Sequence, residues 1–316
     1  MTNAMSLPAA SAYANEVDWL LLALVVASLM VLLLVFGLMF YYMARYRHDS
    51  AAYRGGVTKK GWEFEIAWTS ATMVAFFALF VWGADLYTRL EQPPANAMRI
   101  SVTGKQWMWK TEYPGGQREI NSVHVPTGRD VMLVMTSEDV IHDFAVPAFR
   151  IRHDVLPGRY EVIWFKATRV GTYNAFCDQL CGTDHSLMVG TISVMTPGDY
   201  TRWLAANAAP EGLAEQGKRL FVSYGCSGCH YTGSFGGGGT VRAPALAGVY
   251  GHPVPLSDGS VVTADDQYIR DSILQPGRQI VASYENQMPS FAGIVSEEDL
   301  IRLVAYIKSL SGEDGT

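Results

Sequence analysis

Two unbroken apolar runs dominate the first third of the chain. From Trp19 to Ala44 there are 26 consecutive uncharged residues rich in Leu, Val, Met and Phe. About 20 such residues in a helix cross a bilayer core, so the run predicts a span over about 18–44. A second uncharged run, Ile66 to Ala84, has 19 residues and is bordered by Trp62, Trp68, Trp82 and Tyr87. Aromatic rings of this kind favour the headgroup level, and the run predicts a second span over about 65–88. Beyond Pro93-Pro94 the pattern changes to short β-type runs separated by turn residues: Met98–Thr103, Trp107–Tyr113, Ser122–Val125, Val131–Thr136, Glu161–Phe165, Thr172–Phe176 and Met188–Val194. Strands at this spacing predict an all-β sandwich or barrel. After Thr196-Pro-Gly the spacing turns helical, at Asp199–Ala206, Glu215–Tyr224, Asp265–Gln275 and Ser296–Leu310. In the last of these Leu300, Leu303, Val304 and Ile307 mark one apolar face, and Ser296-Glu-Glu-Asp299 resembles a capping box. The expected division is a short segment 1–16, a two-helix membrane hairpin 17–92, a β domain 93–200 and an α domain 201–316.

Charge orients this layout. Arg45, Arg47, Arg54, Lys59 and Lys60 crowd between the two spans, whereas Glu16 and Asp18 precede the first. The positive-inside bias places the connecting loop in the cytoplasm and both termini outside, with everything after about residue 90 on the periplasmic or outer side of a bacterial inner membrane. Residues 1–16 do not make a signal peptide. A net charge of −6 on 316 residues argues against a nucleic-acid partner. Residues 211–316 hold 12 acids against 7 Lys and Arg, an acidity that suits either a basic partner or plain solubility.

Candidate chemistry sits in the four cysteines. Cys177-Asp-Gln-Leu-Cys181-Gly-Thr-Asp-His185-Ser-Leu-Met188 offers two thiols, an imidazole and a thioether at the end of a predicted strand. This soft donor set favours copper over magnesium or calcium, and it needs a further donor from elsewhere. A disulfide framework, a mononuclear blue copper site and a Cys2His2 zinc site are the alternatives. Cys226-Ser-Gly-Cys229-His230 is a haem c attachment signature, with two thiols to form thioethers and an adjacent imidazole for the iron. Met288, in Met288-Pro289-Ser-Phe291, is the candidate for the opposite face of the iron, with His252 as a rival. Gly233–Gly239 lacks the Lys and Ser/Thr of a phosphate-binding loop and reads as a flexible connection.

The C-terminal hundred residues resemble class I cytochromes c, and Pro244 of Ala243-Pro244-Ala-Leu246 stands where that family's proline carbonyl orients the axial histidine. Upstream, Ser137-Glu-Asp-Val140-Ile-His142-Asp-Phe144-Ala-Val-Pro147, then Pro157-Gly158-Arg159, then the cysteine loop, resemble subunit II of haem–copper oxidases over about residues 15–200. With the fused cytochrome the chain is similar to the caa-type members. The resemblance implies a cupredoxin Greek-key sandwich holding a binuclear CuA centre. Cys177 and Cys181 would bridge two coppers, His142 and Met188 would complete one, and His185 with the carbonyl of Gln179 the other. The family has Glu where Gln179 stands, so the neighbouring magnesium site, near which Asp154 aligns, is the feature this change touches. Trp107 of Gly104-Lys-Gln106-Trp107-Met-Trp109 aligns with the family's surface tryptophan for electron input, although Met108 replaces the usual Tyr. Glu65 aligns with a glutamate at the mouth of a proton pathway in subunit I, although Thr72 stands where the family's helix has Pro. His48, His124 and His153 receive no role.

The function this implies is the electron-accepting subunit of a terminal respiratory oxidase, an oxidoreductase and translocase. Electrons would run from a soluble cytochrome c or another respiratory complex, through haem c and CuA, to the haems of subunit I, with subunit III and membrane lipid as further partners. Oxygen reduction would lie in the partner, because this chain has neither a second haem signature nor the histidines of a haem–copper pair. The alternatives are the matching subunit of a CuA-type nitric oxide reductase and a free-standing membrane-anchored electron carrier.

Overall fold

The computed structural model describes residues 8–53, 55, 61–230 and 243–311; Arg54, Lys59, Lys60, the Gly233–Gly239 loop and residues 1–7 of the N-terminal segment lie outside the described residues. Residues 13–92 form one compact unit and the rest of the described chain another. In the first, helices α1 (Ala14–Arg45) and α2 (Gly61–Glu91) both extend past the purely apolar runs. Each is long and apolar enough to cross a membrane, and neither apolar window is buried within the protein. Arg89, near the end of α2, pairs with Glu16 at the start of α1 (2.8 Å) and with Asp85 (3.0 Å), and its guanidinium lies 5.4 Å from the Tyr13 ring centre. At Thr72, where a proline would break the ladder, the hydroxyl donates to the carbonyls of Trp68 and Thr69, and α2 runs on unbroken.

The second unit begins with a β-sandwich of ten strands. They are β1 (Met98–Lys105), β2 (Met108–Glu112), β3 (Arg118–Ile120), β4 (Ser122–Pro126), β5 (Asp130–Ser137), β6 (His142–Val146), β7 (Ile151–Val155), β8 (Glu161–Lys166), β9 (Gly171–Cys177) and β10 (Val189–Met195). One sheet has the order β3-β2-β1-β5-β8 and the other β4-β10-β9-β6-β7. Each sheet is mixed: β1 runs parallel to β5, and β10 parallel to β4. Seven strands coincide with the predicted runs, while β3, β6 and β7 were not foreseen. All five residues of β6 are buried, His142 and Asp143 included, so no alternation of polar and apolar positions marks it. Between the sheets lie Ile100, Trp109, Leu133, Met135, Phe144, Phe149, Phe165 and Ile192. Residues that precede α1 close the sandwich: Ala10 N donates to Ala148 O (2.9 Å), Thr168 N to Ala10 O (2.8 Å), and Ser11 bridges Ala167.

Helix α3 (Pro197–Ala206) starts at Thr196, whose hydroxyl accepts from Asp199 N, a cap worth about 1 kcal/mol. Its Trp203 stacks on His124 (4.7 Å between ring centres, 17°), which pairs with Glu119 at 2.7 Å. The cytochrome-like part follows: α4 (Leu213–Ser223), a two-stranded ribbon β11 (Pro253–Pro255) and β12 (Val261–Thr263), α5 (Asp266–Leu274) and α6 (Glu297–Ser309). The small ribbon is an addition to the expected all-α fold. Helices α4 and α6 cross at Gly217, where a Cβ would meet the Arg302 carbonyl oxygen at 1.9 Å. Ser296 caps α6 by accepting from Asp299 N (3.1 Å), while the Asp299 carboxylate bonds Arg302 and Tyr224.

A charged seam joins the α domain to the outer face of the β1–β2–β3 sheet. Arg302 bonds Glu112 (2.7 Å), Lys110 bonds Glu298 (2.7 Å), and Arg99 bonds Asp266 (2.8 Å). Arg270 donates to Gly158 O (2.7 Å), and Tyr160 N to Gln267 (2.8 Å). The hydrogen bond from Lys110 holds the Glu298 carboxyl below the usual carboxylate range, against the opposing effect of burial. A lowered folded pKa stabilises above the ordinary glutamate value of about 4.3 and is lost as pH falls through the lower folded value. Amide protection in the first turn of α6, corrected for intrinsic exchange, is therefore expected to fall in that acid range. Protection that stays constant down to about pH 3 would contradict it.

Candidate metal centre

Two loops and two strand ends bring the soft donors together. Cys177 closes β9 and is buried; the chain then turns through Gln179 to Cys181 and a short 3-10 turn, His185–Leu187, before Met188 leads into β10. His142 opens β6, whose Phe144 pairs with Cys177 across the sheet. The Cys177 and Cys181 sulfurs are 3.7 Å apart. His142 Nδ1 lies 3.9 Å from the Cys177 sulfur, His185 Nδ1 3.4 Å from that of Cys181, and the Met188 sulfur 3.8 Å from that of Cys181. The Gln179 carbonyl oxygen is 3.2 Å from the Cys177 sulfur. All six expected donors thus face one small volume. Among the described residues, His142, Cys177 and Cys181 form a buried metal-competent cluster.

The electrostatics suit a thiolate–metal centre. Burial pushes the Cys177 thiol up, but hydrogen bonds from His142 and the backbone outweigh it and bring its pKa down to about 7. Burial and the neighbouring Cys177 push Cys181 up. A metal must displace the second proton, so binding releases protons and tightens with pH. His142 turns its other nitrogen, Nε2, to Asp139 Oδ1 at 2.8 Å, and Asp139 also accepts from Gln106 N (2.8 Å). A carboxylate behind a ligating imidazole fixes its tautomer and ring orientation. Asp139 lies within the sequence motif, yet its letter alone assigns it no task. Gly104 lets this packing close, since a Cβ there would sit 2.9 Å from His142 Cδ2.

Below the loop, Asp143 is buried and held by Arg152 (3.1 Å), which also reaches Asp178 at 3.0 Å. Burial holds the Asp143 carboxyl above its usual range, with Arg152 opposing. Asp154 faces Asp143 across the β6–β7 register and is exposed. Trp107 is half-buried against Gly182, where a Cβ would approach its ring to 3.3 Å. Gln106 donates to Cys181 O (2.7 Å). Glu65 lies in α2, in the other unit.

A second site lies in the α domain, a cleft of about 790 Å3 lined by Cys226, Cys229, His230, Pro244, Tyr224, Met288 and apolar side chains of α4, α5 and α6. His230 Nδ1 bonds the Pro244 carbonyl at 3.0 Å, leaving the opposite ring nitrogen to face an iron. Burial lowers the His230 pKa, and Pro244 opposes this. A neutral imidazole of fixed tautomer is what axial ligation requires. The rival His252 is exposed, bonds Tyr250 O (3.0 Å), and is not among the lining residues. The shape, the two cysteine thiols and the oriented imidazole fit a haem c.

Residues 117–195 match the profile of the cytochrome c oxidase subunit II periplasmic domain, and residues 214–311 that of cytochrome c. Cytochrome c oxidase subunit 2 of Alkalihalophilus pseudofirmus is 30% identical over 310 residues, spanning 93% of this chain and 86% of the relative. The chain belongs to the cytochrome c oxidase subunit II family. The subunit 2 of Cereibacter sphaeroides is 27% identical over 62% of this chain and 78% of its own. Among solved structures, the periplasmic domain of subunit II of cytochrome oxidase of Bradyrhizobium japonicum is 32% identical over 37% of this chain and 96% of that one, with a TM-score of 0.36. As a subunit II with a fused cytochrome c domain, the protein is a component of an oxidoreductase complex that carries copper and haem c, anchored by its two helices.

In this oxidase subunit Met188→Leu is expected to shift the copper reduction potential while copper stays bound. Met188 is buried, Leu is close to it in volume, and only the thioether is lost. Redox titration of the copper absorbance with a parallel copper assay tests this. An unshifted potential would remove Met188 from the donor set.

Proposed function

We propose that the protein takes electrons from an external donor into its haem c domain and passes them through a binuclear copper centre to the haem groups of subunit I, where O2 is reduced. The observation that carries this is the convergence of His142, Cys177, Gln179 O, Cys181, His185 and Met188 at 3.2–3.9 Å, in one chain with the His230–Pro244 cleft. When bound, a copper pair sharing two thiolates spreads one electron over both metals, and a haem c with His and Met ligands changes oxidation state with little rearrangement.

The residues of the chain hold that chemistry in place. Cys177 and Cys181 would hold the copper through their sulfurs, which the strand-end loop places 3.7 Å apart. Asp139 orients His142, and Gln106 anchors the loop through Cys181 O. Cys226 and Cys229 would attach a haem c through their thiols, and His230 and Met288 would supply its iron ligands. The substitution at Gln179 leaves its carbonyl available and removes a carboxylate from the neighbouring magnesium position. Trp107, beside Gly182, is a surface entry point for electrons at the copper centre, and Glu65 serves proton uptake at subunit I. The metal domains face the periplasm or outer surface, with the α1–α2 loop in the cytoplasm.

Purifying the native complex and measuring turnover with O2 and with NO tests this reading. O2 consumption with copper, haem c and subunit I in one complex is expected. NO reduction without O2 turnover would assign the chain to a nitric oxide reductase. A chain that purifies alone with full copper and haem would make it a membrane-anchored carrier.

A further inference from the structure

The seam between the haem domain and the sandwich is built on one strand. β2 alternates: Trp109 points into the sandwich, while Lys110 and Glu112 meet the α domain. On the α-domain side, Tyr224 lines the haem cleft, and its hydroxyl donates to Asp299 Oδ2 at 3.0 Å. Asp299 Oδ1 accepts from Arg302 Nη1 (2.6 Å), and Arg302 Nη2 donates to Glu112 Oε1 (2.7 Å). Both Arg302 and Glu112 are buried. On the copper side, the Trp109 ring meets His142 edge to face, 5.8 Å between ring centres. Lys110 also bonds Glu138 (2.8 Å), the residue before the Asp139 that orients His142.

From this arrangement we infer that β2 is the internal bridge for the electron: the Tyr224–Asp299–Arg302–Glu112 chain and the Lys110–Glu298 pair dock the haem cleft wall on its outer face, and Trp109 carries the contact through to His142. The inference rests on the proposed function. The step is one electron and no proton: ferrous haem iron becomes ferric, the copper centre gains the electron, and the external donor re-reduces the iron. Tunnelling weakens steeply with separation and less steeply through bonded atoms than through space, so a fixed, hydrogen-bonded contact favours the transfer. A buried ion pair contributes little net stability but sets registry, which is the property a docking contact needs. Trp107, by contrast, lies against Gly182 on the cysteine-loop side. Lys110, Glu112, Asp299 and Arg302 are positioning residues in this scheme.

The test uses the full chain carrying both cofactors. Haem c is photoreduced and the copper absorbance followed, while amide exchange reports protection of β2 and the first turn of α6. Lys110→Met and Arg302→Gln are each expected to slow the internal step by about tenfold or more and to lose protection at the seam, with copper EPR and haem content unchanged. Lys110→Arg, which keeps the charge, should retain both. An unchanged internal rate in variants whose seam has lost protection would overturn the inference. So would a larger slowing by Trp107→Phe than by either seam variant. Failure of the proposed function is separable: a chain without copper or haem would be seen in the metal and haem assays before any rate is measured.

Discussion

Cys181→Ser is expected to abolish the spectrum of an electron shared between two coppers while leaving haem c attached. Cys181 occupies the middle of the donor set: its sulfur is 3.7 Å from that of Cys177, 3.4 Å from His185 Nδ1 and 3.8 Å from the Met188 sulfur. A serine oxygen is a harder donor on a shorter bond, and at neutral pH it keeps its proton, so it neither bridges nor delocalises. The remaining His142, Cys177, His185 and Met188 still form a set of the blue-copper type, one thiolate with imidazoles and a thioether. Retention of a single copper with a simple hyperfine pattern is therefore the expected residue of the site. The sandwich itself should survive, because the change replaces one buried sulfur on a strand-end loop with a smaller oxygen and leaves the aromatic and aliphatic core between the sheets in place. EPR and copper-to-protein ratio on the purified variant decide this. A multiline pattern from two equivalent coppers surviving in Cys181→Ser would sink the binuclear assignment.

Gly217→Ala is expected to destabilise the haem domain. A Cβ at this position would lie 1.9 Å from the carbonyl oxygen of Arg302, 2.6 Å from its carbonyl carbon and 2.8 Å from Tyr306 Cβ. These are backbone and Cβ atoms of α6, which cannot rotate out of the way as a long side chain would. Alanine gains up to about 1 kcal/mol in helix propensity, but forcing apart two helices at their crossing costs about 3 kcal/mol or more. For a domain of about 100 residues the net loss of about 2 kcal/mol corresponds to a fall of roughly 10 °C in Tm. The thermal transition followed at the haem absorbance measures it. A variant with wild-type Tm would show that the two helices do not cross at this glycine. The damage should also reach the seam, because Arg302 sits at the crossing and holds Glu112.

What the sequence disclosed depended on how far apart the interacting residues lie. The two apolar runs, seven strands and four helices follow from local periodicity. Cys177, Cys181, His185 and Met188 lie within one loop, so their joint chemistry is legible from spacing. His142 is 35 residues upstream of Cys177 and on a strand without alternation, and only the family pattern points to it. Asp139, Asp143 and Arg152 carry no periodic signal, and their tasks come from tertiary contacts: Asp139 with His142, and Arg152 with the buried Asp143. The seam was wholly hidden. Arg302 and Glu112 are 190 positions apart, and each stands on a face that a polarity pattern assigns to water. Charged residues that meet across domains leave no periodic trace, since their pairing is decided by tertiary packing alone.

The backbone bonds of Ala10 and Ala12 to the sandwich have a bearing on biogenesis. These residues precede α1, yet they donate hydrogen bonds to Ala148 and Lys166 and accept one from Thr168, far beyond α2. The copper-binding fold is therefore threaded through both ends of the hairpin, and it closes only when those ends emerge in the same compartment. A chain with one helix left uninserted would strand the first residues away from their hydrogen-bond partners. Closure of the sandwich thus requires both ends of the hairpin on one side.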